Sequence, residues 1–176
     1  MWYVIQVTGG REHKACDLIN RAARGERDYA GKLILRECFV PRYQVERKFH
    51  GKYRLMERVL FPGYVIAITS NVAKLNRELS GVPEFARLLG NGEAFIPLER
   101  NEAAFINSFT TEHHRVVHLS RAVSEGDAVT VVEGPMVGRE GWITSIDRRK
   151  GTCRVETEAF GRMVRVEIGL AVVTKA

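Results

Sequence analysis

Aromatic and β-branched residues alternate from Trp2 to Val7 and predict a strand, ended by Thr8, Gly9 and Gly10. Ala15, Leu18, Ile19, Ala22 and Ala23 then recur at helical spacing, so a helix is expected from about Arg11, with Glu12, Lys14, Asp17 and Arg21 mostly outside its apolar stripe. Residues 24–32 are polar and charged and read as a loop. Cys38, Phe39 and Val40 form a short strand stopped by Pro41. Two strand-like runs, 43–49 and 53–60, flank His50, Gly51 and Lys52, the spacing of a β-hairpin with Gly51 at positive φ. Val65 to Ile68 is all apolar and reads as a buried strand. Val72, Leu75 and Leu79 mark a second helix ended by Gly81 and Pro83. Residues 85–95 read as strand and turn around Gly90, Asn91 and Gly92, and Ala103, Ala104, Phe105, Ile106 and Phe109 predict a third helix over 100–109. This order predicts an α+β domain, its helices covering a mostly antiparallel sheet.

Residues 110–124 contain neither Gly nor Pro and read as a polar linker. Beyond it, strands are expected at 128–132, 140–147, 152–157, 163–168 and 171–173, five short strands that fit a small β-barrel. The first of them carries Val129, Val131 and Val132 and is broken by Glu133, Gly134 and Pro135. Gly134 supplies positive φ, and Pro135 presets a turn. Gly138 and Gly141 bracket a second tight segment before Trp142, Ile143 and Ile146. The expected division is 1–110, a linker 111–123, and a second domain 124–176.

Charge sharpens this division. The chain of 176 residues has net charge +6 and a sequence pI of about 9.5. Residues 1–110 carry net +5, the linker +1 and residues 124–176 zero. A polyanionic partner is favoured, and the second domain can meet it only through a local patch. Arg148, Arg149 and Lys150 stand in the turn before Gly151. With Arg154 and Arg165, which alternation places on the outer face, they form a candidate basic surface. Cross-strand ion pairs to Glu156 and Glu167 explain the same residues equally simply. The hairpin region Arg36–Arg58 holds seven Arg or Lys against three Glu, with Lys48, Lys52 and Arg54 at its tip. It serves either nucleic-acid contact or protection of a strand edge.

Other chemistry is sparse. Cys16, Cys38 and Cys153 have no zinc spacing and are odd in number, which points to a reducing cytoplasm. His113, His114 and His118 lack the carboxylate or cysteine partners of a metal set. No phosphate-binding loop, HExxH or GxSxG occurs, so no enzyme, cofactor or metal is expected. Arg11, Glu12, Lys14 and Asp17 argue against a leader peptide, and no apolar run approaches a membrane span, so no membrane partner is expected.

The stretch VVEGPMVGREGWITSID resembles the KOW motif of transcription-elongation and ribosomal proteins. WYVIQV, GREHKA opening a helix, FVP, a basic hairpin, FPGYVIAI, VVEGPMVGREGWI and FGR together resemble the NusG family of elongation factors, in the same order and over nearly the whole chain. The resemblance implies an N-terminal NGN domain that binds RNA polymerase and a C-terminal KOW domain that binds other partners. It assigns Phe61 and Tyr64 to a hydrophobic surface on the polymerase clamp helices, although Phe61 also fits a plain core position. It brings Lys74, Asn76 and Arg77 toward upstream or non-template DNA. Phe160, Gly161 and Arg162 match the FGR segment, beside the surface that receives ribosomal protein or termination factor. Met136 stands where many relatives have Phe. The 24–32 loop, the basic hairpin and the 148–150 turn are similar to the specialised LoaP antiterminators, which associate with RNA hairpins. The expectation is a monomeric, cytoplasmic antitermination factor that suppresses pausing or termination. The alternatives are a housekeeping NusG-type elongation factor and a KOW-type RNA-binding protein that does not engage polymerase.

Overall fold

The computed structural model describes residues 1–91, 94–110 and 114–174. Gly92 and His113, named above, lie outside the described residues. The chain runs β1 (Trp2–Val7), α1 (Glu12–Ala22), β2 (Leu35–Phe39), β3 (Arg42–Phe49), β4 (Lys52–Val59), β5 (Tyr64–Thr69), α2 (Val72–Leu79), β6 (Ala86–Leu88) and α3 (Arg100–Phe109). It continues through β7 (Val116–Val117), β8 (Ser120–Glu125), β9 (Ala128–Glu133), β10 (Ile143–Asp147), β11 (Thr152–Ala159) and β12 (Arg162–Thr174). Two compact units result: Met1–Pro41 with Phe61–Ala103, and Arg42–Leu60 with Ala104–Ala176.

The first unit is built on an antiparallel sheet of order β2-β5-β1-β6. The all-apolar run Val65–Ile68 pairs on both edges and is buried, as its composition predicts. In α1 Ala15 and Ile19 are buried, as is Ala23 just beyond its end, and in α2 so are Leu75 and Leu79. Asn71 caps α2 by accepting from the Lys74 N–H at 3.0 Å. Cys16 and Cys38 are buried thiols, with Cys16 Sγ donating to the Cys38 carbonyl at 3.1 Å.

Glu12 departs from the expected pattern, because its side chain is buried at the start of α1. Oε1 accepts the N–H groups of Gly10 at 3.0 Å and Gly63 at 2.8 Å. A charged acceptor can be buried when donors this close replace its water.

The second unit contains the hairpin, which joins no ladder of the first sheet. β3 and β4 pair from Arg42↔Val59 to Phe49↔Lys52 across a two-residue turn. Both turn residues take positive φ, His50 at 47° and Gly51 at 80°, as a type I′ turn requires. β7 adds to β3 in parallel, Arg42↔Val116 and Tyr43↔Val117. The stretch expected as linker therefore supplies two strands, β7 and most of β8. Val116 and Val117 are buried, and their β-branched pattern outweighs the polar neighbours that suggested a loop.

The barrel strands have the order β10-β11-β12-β8-β9. Their number is as expected, but their membership differs. Segments 163–168 and 171–173 are one 13-residue strand, β12, which turns from pairing β11 to pairing β8 in parallel. Gly169 and Leu170 read as a break in sequence, yet both are buried strand residues. Gly169 is there because of close approach: a Cβ would collide with the Gln44 carbonyl oxygen and lie 2.8 Å from Leu119 Cδ1. Trp142 belongs to a 3-10 turn, Glu140–Trp142, rather than to the strand after it. Met136, at the position where Phe was noted, is fully buried, and its N–H donates to Ser120 Oγ at 3.2 Å.

Candidate nucleic-acid interface

The turn between β4 and β5 is fixed by backbone hydrogen bonds. Gly63 takes φ 83°, its carbonyl accepts from Val7 N–H at 2.9 Å, and Tyr64 N–H donates to the Phe61 carbonyl at 3.1 Å. Glu12 holds the Gly63 N–H from below. Burial alone would raise the Glu12 pKa; the N–H groups of Gly63, Glu12 itself and Gly10 outweigh it and hold the carboxyl below its ordinary value. Phe61 is buried, only 5% exposed, whereas Tyr64 is half-buried. Of the pair singled out in the sequence, Tyr64 is the one with surface to offer.

Glu12→Gln is expected to lower stability by about 1–2 kcal/mol near neutral pH, because a neutral amide replaces a charged acceptor. A depressed carboxyl contributes stability above its unfolded pKa, lost as pH falls through the folded value. The variant should lack that acid-side loss, so the difference shrinks toward low pH. Urea melts of both proteins at neutral and acid pH check this; a constant difference would count against it.

The cations divide into engaged and unengaged sets. Arg165 pairs with Glu156 at 2.7 Å, as the ion-pair alternative expected, while Glu167 instead accepts the Tyr43 hydroxyl at 2.8 Å. Lys150 is drawn to Asp147, with Nζ 3.6 Å from Oδ2 and its N–H donating to Oδ1 at 2.9 Å. Lys74 Nζ lies 3.1 Å from Glu26 and donates to the Arg27 carbonyl at 2.7 Å. Arg77, Lys52 and Arg154 are exposed. Arg54 lies over the Phe49 ring, 5.4 Å from its centroid. Among the described residues, Arg148, Arg149 and Lys48 have no ion pair.

Phe160 and Gly161 make the turn from β11 to β12, at φ 59° and 70°; Phe160 is half-buried, and Arg162 is exposed. His118 Nδ1 lies 3.1 Å from Gln44 Oε1. No group of three or more His, Cys, Asp or Glu among the described residues is placed to hold a metal. Among the described residues, no helix is long and apolar enough to cross a membrane.

Residues 1–107 match the family described as transcription termination factor nusG, and residues 125–168 match the KOW motif. The chain belongs to the NusG family. Its order of elements is accordingly that of an NGN domain followed by a KOW domain. It is 28% identical to the transcription termination/antitermination protein NusG of Haemophilus influenzae, over 99% of this chain and 93% of that one. The NusG protein of Bacillus subtilis is also 28% identical, over 99% and 97%, and that of Campylobacter jejuni 27%, over 95% and 92%. The fold is similar to a Thermotoga maritima NusG structure concerned with domain interaction, with TM-score 0.53, 19% identity and coverage of 96% and 92%. These relatives are transcription termination/antitermination proteins.

Two residues of this NusG-family chain, Tyr53 and Arg121, were not among the sequence candidates for the interface, and Arg47 entered only as one of the seven cations of the hairpin region. Arg47 and Arg54 face each other across the hairpin. Like charges directly opposite are unfavourable in a ladder; the two-residue His50–Gly51 turn places them so, whereas the three-residue connection read from sequence would set Arg47 opposite Leu55. Arg121 was hidden by the linker reading.

Proposed function

We propose that this chain is a transcription elongation and antitermination factor that binds RNA polymerase through residues 1–110, suppresses pausing or termination, and binds a structured RNA. The observation that carries the reading is the braced 61–64 turn. Glu12 and Val7 immobilise its backbone, and Tyr64 is left half-exposed on the first residue of a buried strand. A rigid aromatic with a hydroxyl is the type of side chain that anchors interfaces. Phe61 shapes that surface from beneath. The segment 124–176 serves as the partner-directed part, with 111–123 as the connection in function. Phe160 and Arg162 offer the surface for a ribosomal protein or termination factor. Arg148 and Arg149, without ion pairs on a segment of zero net charge, support the RNA reading and the specialised, LoaP-like role.

The test is polymerase affinity. Tyr64→Ala should weaken binding to core RNA polymerase by ~2 kcal/mol, the loss typical of an interface anchor. Circular dichroism confirms that the variant is folded. Unchanged affinity in a folded variant excludes the anchor. Titration of a stem-loop RNA against a scrambled stem-loop checks the second half of the proposal, and equal affinity excludes specific recognition.

A further inference from the structure

Within the second unit, hairpin and barrel line one cleft of about 520 Å³. The hairpin supplies Arg47, Lys48 and Tyr53; the turn before Gly151 supplies Arg148 and Arg149; β8 supplies Arg121. Glu46, the carboxylate among its lining residues, is engaged by Arg121 at 3.2 Å, and Arg121 also lies 3.8 Å from Glu133. Arg47, Lys48, Arg148 and Arg149 have no ion pair among the described residues. Arg47 Nε is buried without a hydrogen-bond partner. A buried donor left unsatisfied and four cations that line one cleft without ion pairs are both unfavourable for folding alone. Both become favourable when an anion enters.

We propose that this cleft binds an unpaired stretch of RNA, its phosphates on Arg47, Lys48, Arg148 and Arg149 and one base stacked on Tyr53. The inference rests on the RNA reading above and gives it a site. Tyr53 is 67% exposed on the hairpin, a platform that any base can cover. A cleft of this volume accommodates nucleotides rather than a duplex. The hairpin cations and the turn cations thus form one site instead of two tracks. Lys150 and Arg165, held by Asp147 and Glu156, stand outside it, and so does Arg154.

The experiment titrates the full chain with fluorescent oligouridylate, with a stem-loop RNA and with a loop-free RNA duplex, at several salt concentrations. The expected result is a single isotherm for oligouridylate, weakened by Lys48→Gln and by Arg149→Gln alike. Each substitution should flatten the slope of log K against log salt by about 0.7, one single-strand phosphate contact. Tyr53→Ala should weaken binding by roughly fivefold to a hundredfold while Tyr53→Phe preserves it. All these side chains are exposed, so circular dichroism should be unchanged. If stem-loop RNA binds but Tyr53→Ala and Lys48→Gln leave it unaffected, the cleft is wrong and RNA recognition stands elsewhere. Duplex binding as tightly as oligouridylate overturns the unpaired strand. A free nucleoside triphosphate competing at equal affinity overturns a strand in favour of a mononucleotide. No binding to any RNA overturns the cleft together with the RNA half of the proposed function, while polymerase affinity remains a separate measurement.

Discussion

Gly134→Ala is expected to destabilise the second unit by about 3 kcal/mol or more. Two costs coincide at this position. Gly134 takes φ 95°, a region that an L side chain rarely adopts. A Cβ there would also stand 2.6 Å from Ser120 Cα and 2.7 Å from the Leu119 carbonyl oxygen, both backbone atoms that no rotamer change can move aside. The displaced segment would carry Ser120 with it, and Ser120 Oγ accepts the N–H of the fully buried Met136. Trp2 belongs to the first unit and Trp142 to the second. In a Trp2→Phe background, Trp142 fluorescence during urea denaturation reports on the second unit. A midpoint unchanged by Gly134→Ala would show that the turn relaxes without consequence. Gly138→Ala provides the comparison: φ is 73° but nothing lies within 4 Å of the added carbon, so only the backbone cost of about 1–2 kcal/mol should appear.

Gly169→Ala should release the hairpin from β12. The new methyl would overlap the Gln44 carbonyl oxygen and lie 3.0 Å from its carbon, so β3 must move. Overpacking of this kind costs about 1–3 kcal/mol, and a backbone obstacle places it at the upper end. The pairing of Gly169 with Thr152 needs no side chain and should survive. The specific readout is Tyr43. Burial, then its hydrogen bond to Glu167, pushes its hydroxyl up to about 12. A raised phenol pKa contributes stability below the ordinary value near 10, lost as pH rises from there through about 12. Released from the barrel, Tyr43 should ionise near its ordinary value. Tyrosinate absorbance, taken as the difference from a Tyr43→Phe control, measures this. A Tyr43 transition still at about 12 in Gly169→Ala would mean that the hairpin stays docked.

Which parts were legible in sequence follows from the range of the forces involved. β1, α1, the hairpin, β5, α2 and α3 were all expected, because their apolar periodicity and their Gly and Pro stops are local signals. β7 was missed because two valines gain strand structure only by pairing with Arg42 and Tyr43, more than seventy positions earlier. Gly169 looked like a break because its reason lies on Gln44. Glu12 looked solvated because its acceptors' partners, Gly10 and Gly63, are a turn and a distant loop. The candidate site shows the same division. Arg148 and Arg149 were visible as a charged turn, but Arg47, Tyr53 and Arg121 join them only through the packing of β3 beside β12. The ion pairs of Arg165 and Lys150, which remove them from the unengaged set, were equally a matter of partners in space.

The second unit is assembled from two pieces of chain, and that dictates when it can form. Tyr43 meets Glu167 across 124 residues, and β12, the last strand, closes both the hairpin contact and the parallel pairing with β8. During synthesis the hairpin therefore emerges well before its counterpart. Until that counterpart follows, it exists as an isolated two-stranded ribbon, a form of marginal stability, with Tyr43 and Val45, buried in the finished unit, uncovered. Contacts of such sequence separation slow folding and lengthen the exposure of unpaired edges. The arginines and lysines that crowd this hairpin then keep nascent ribbons apart, so the same charges that equip the folded chain for a polyanion also protect the unfinished one from its own copies.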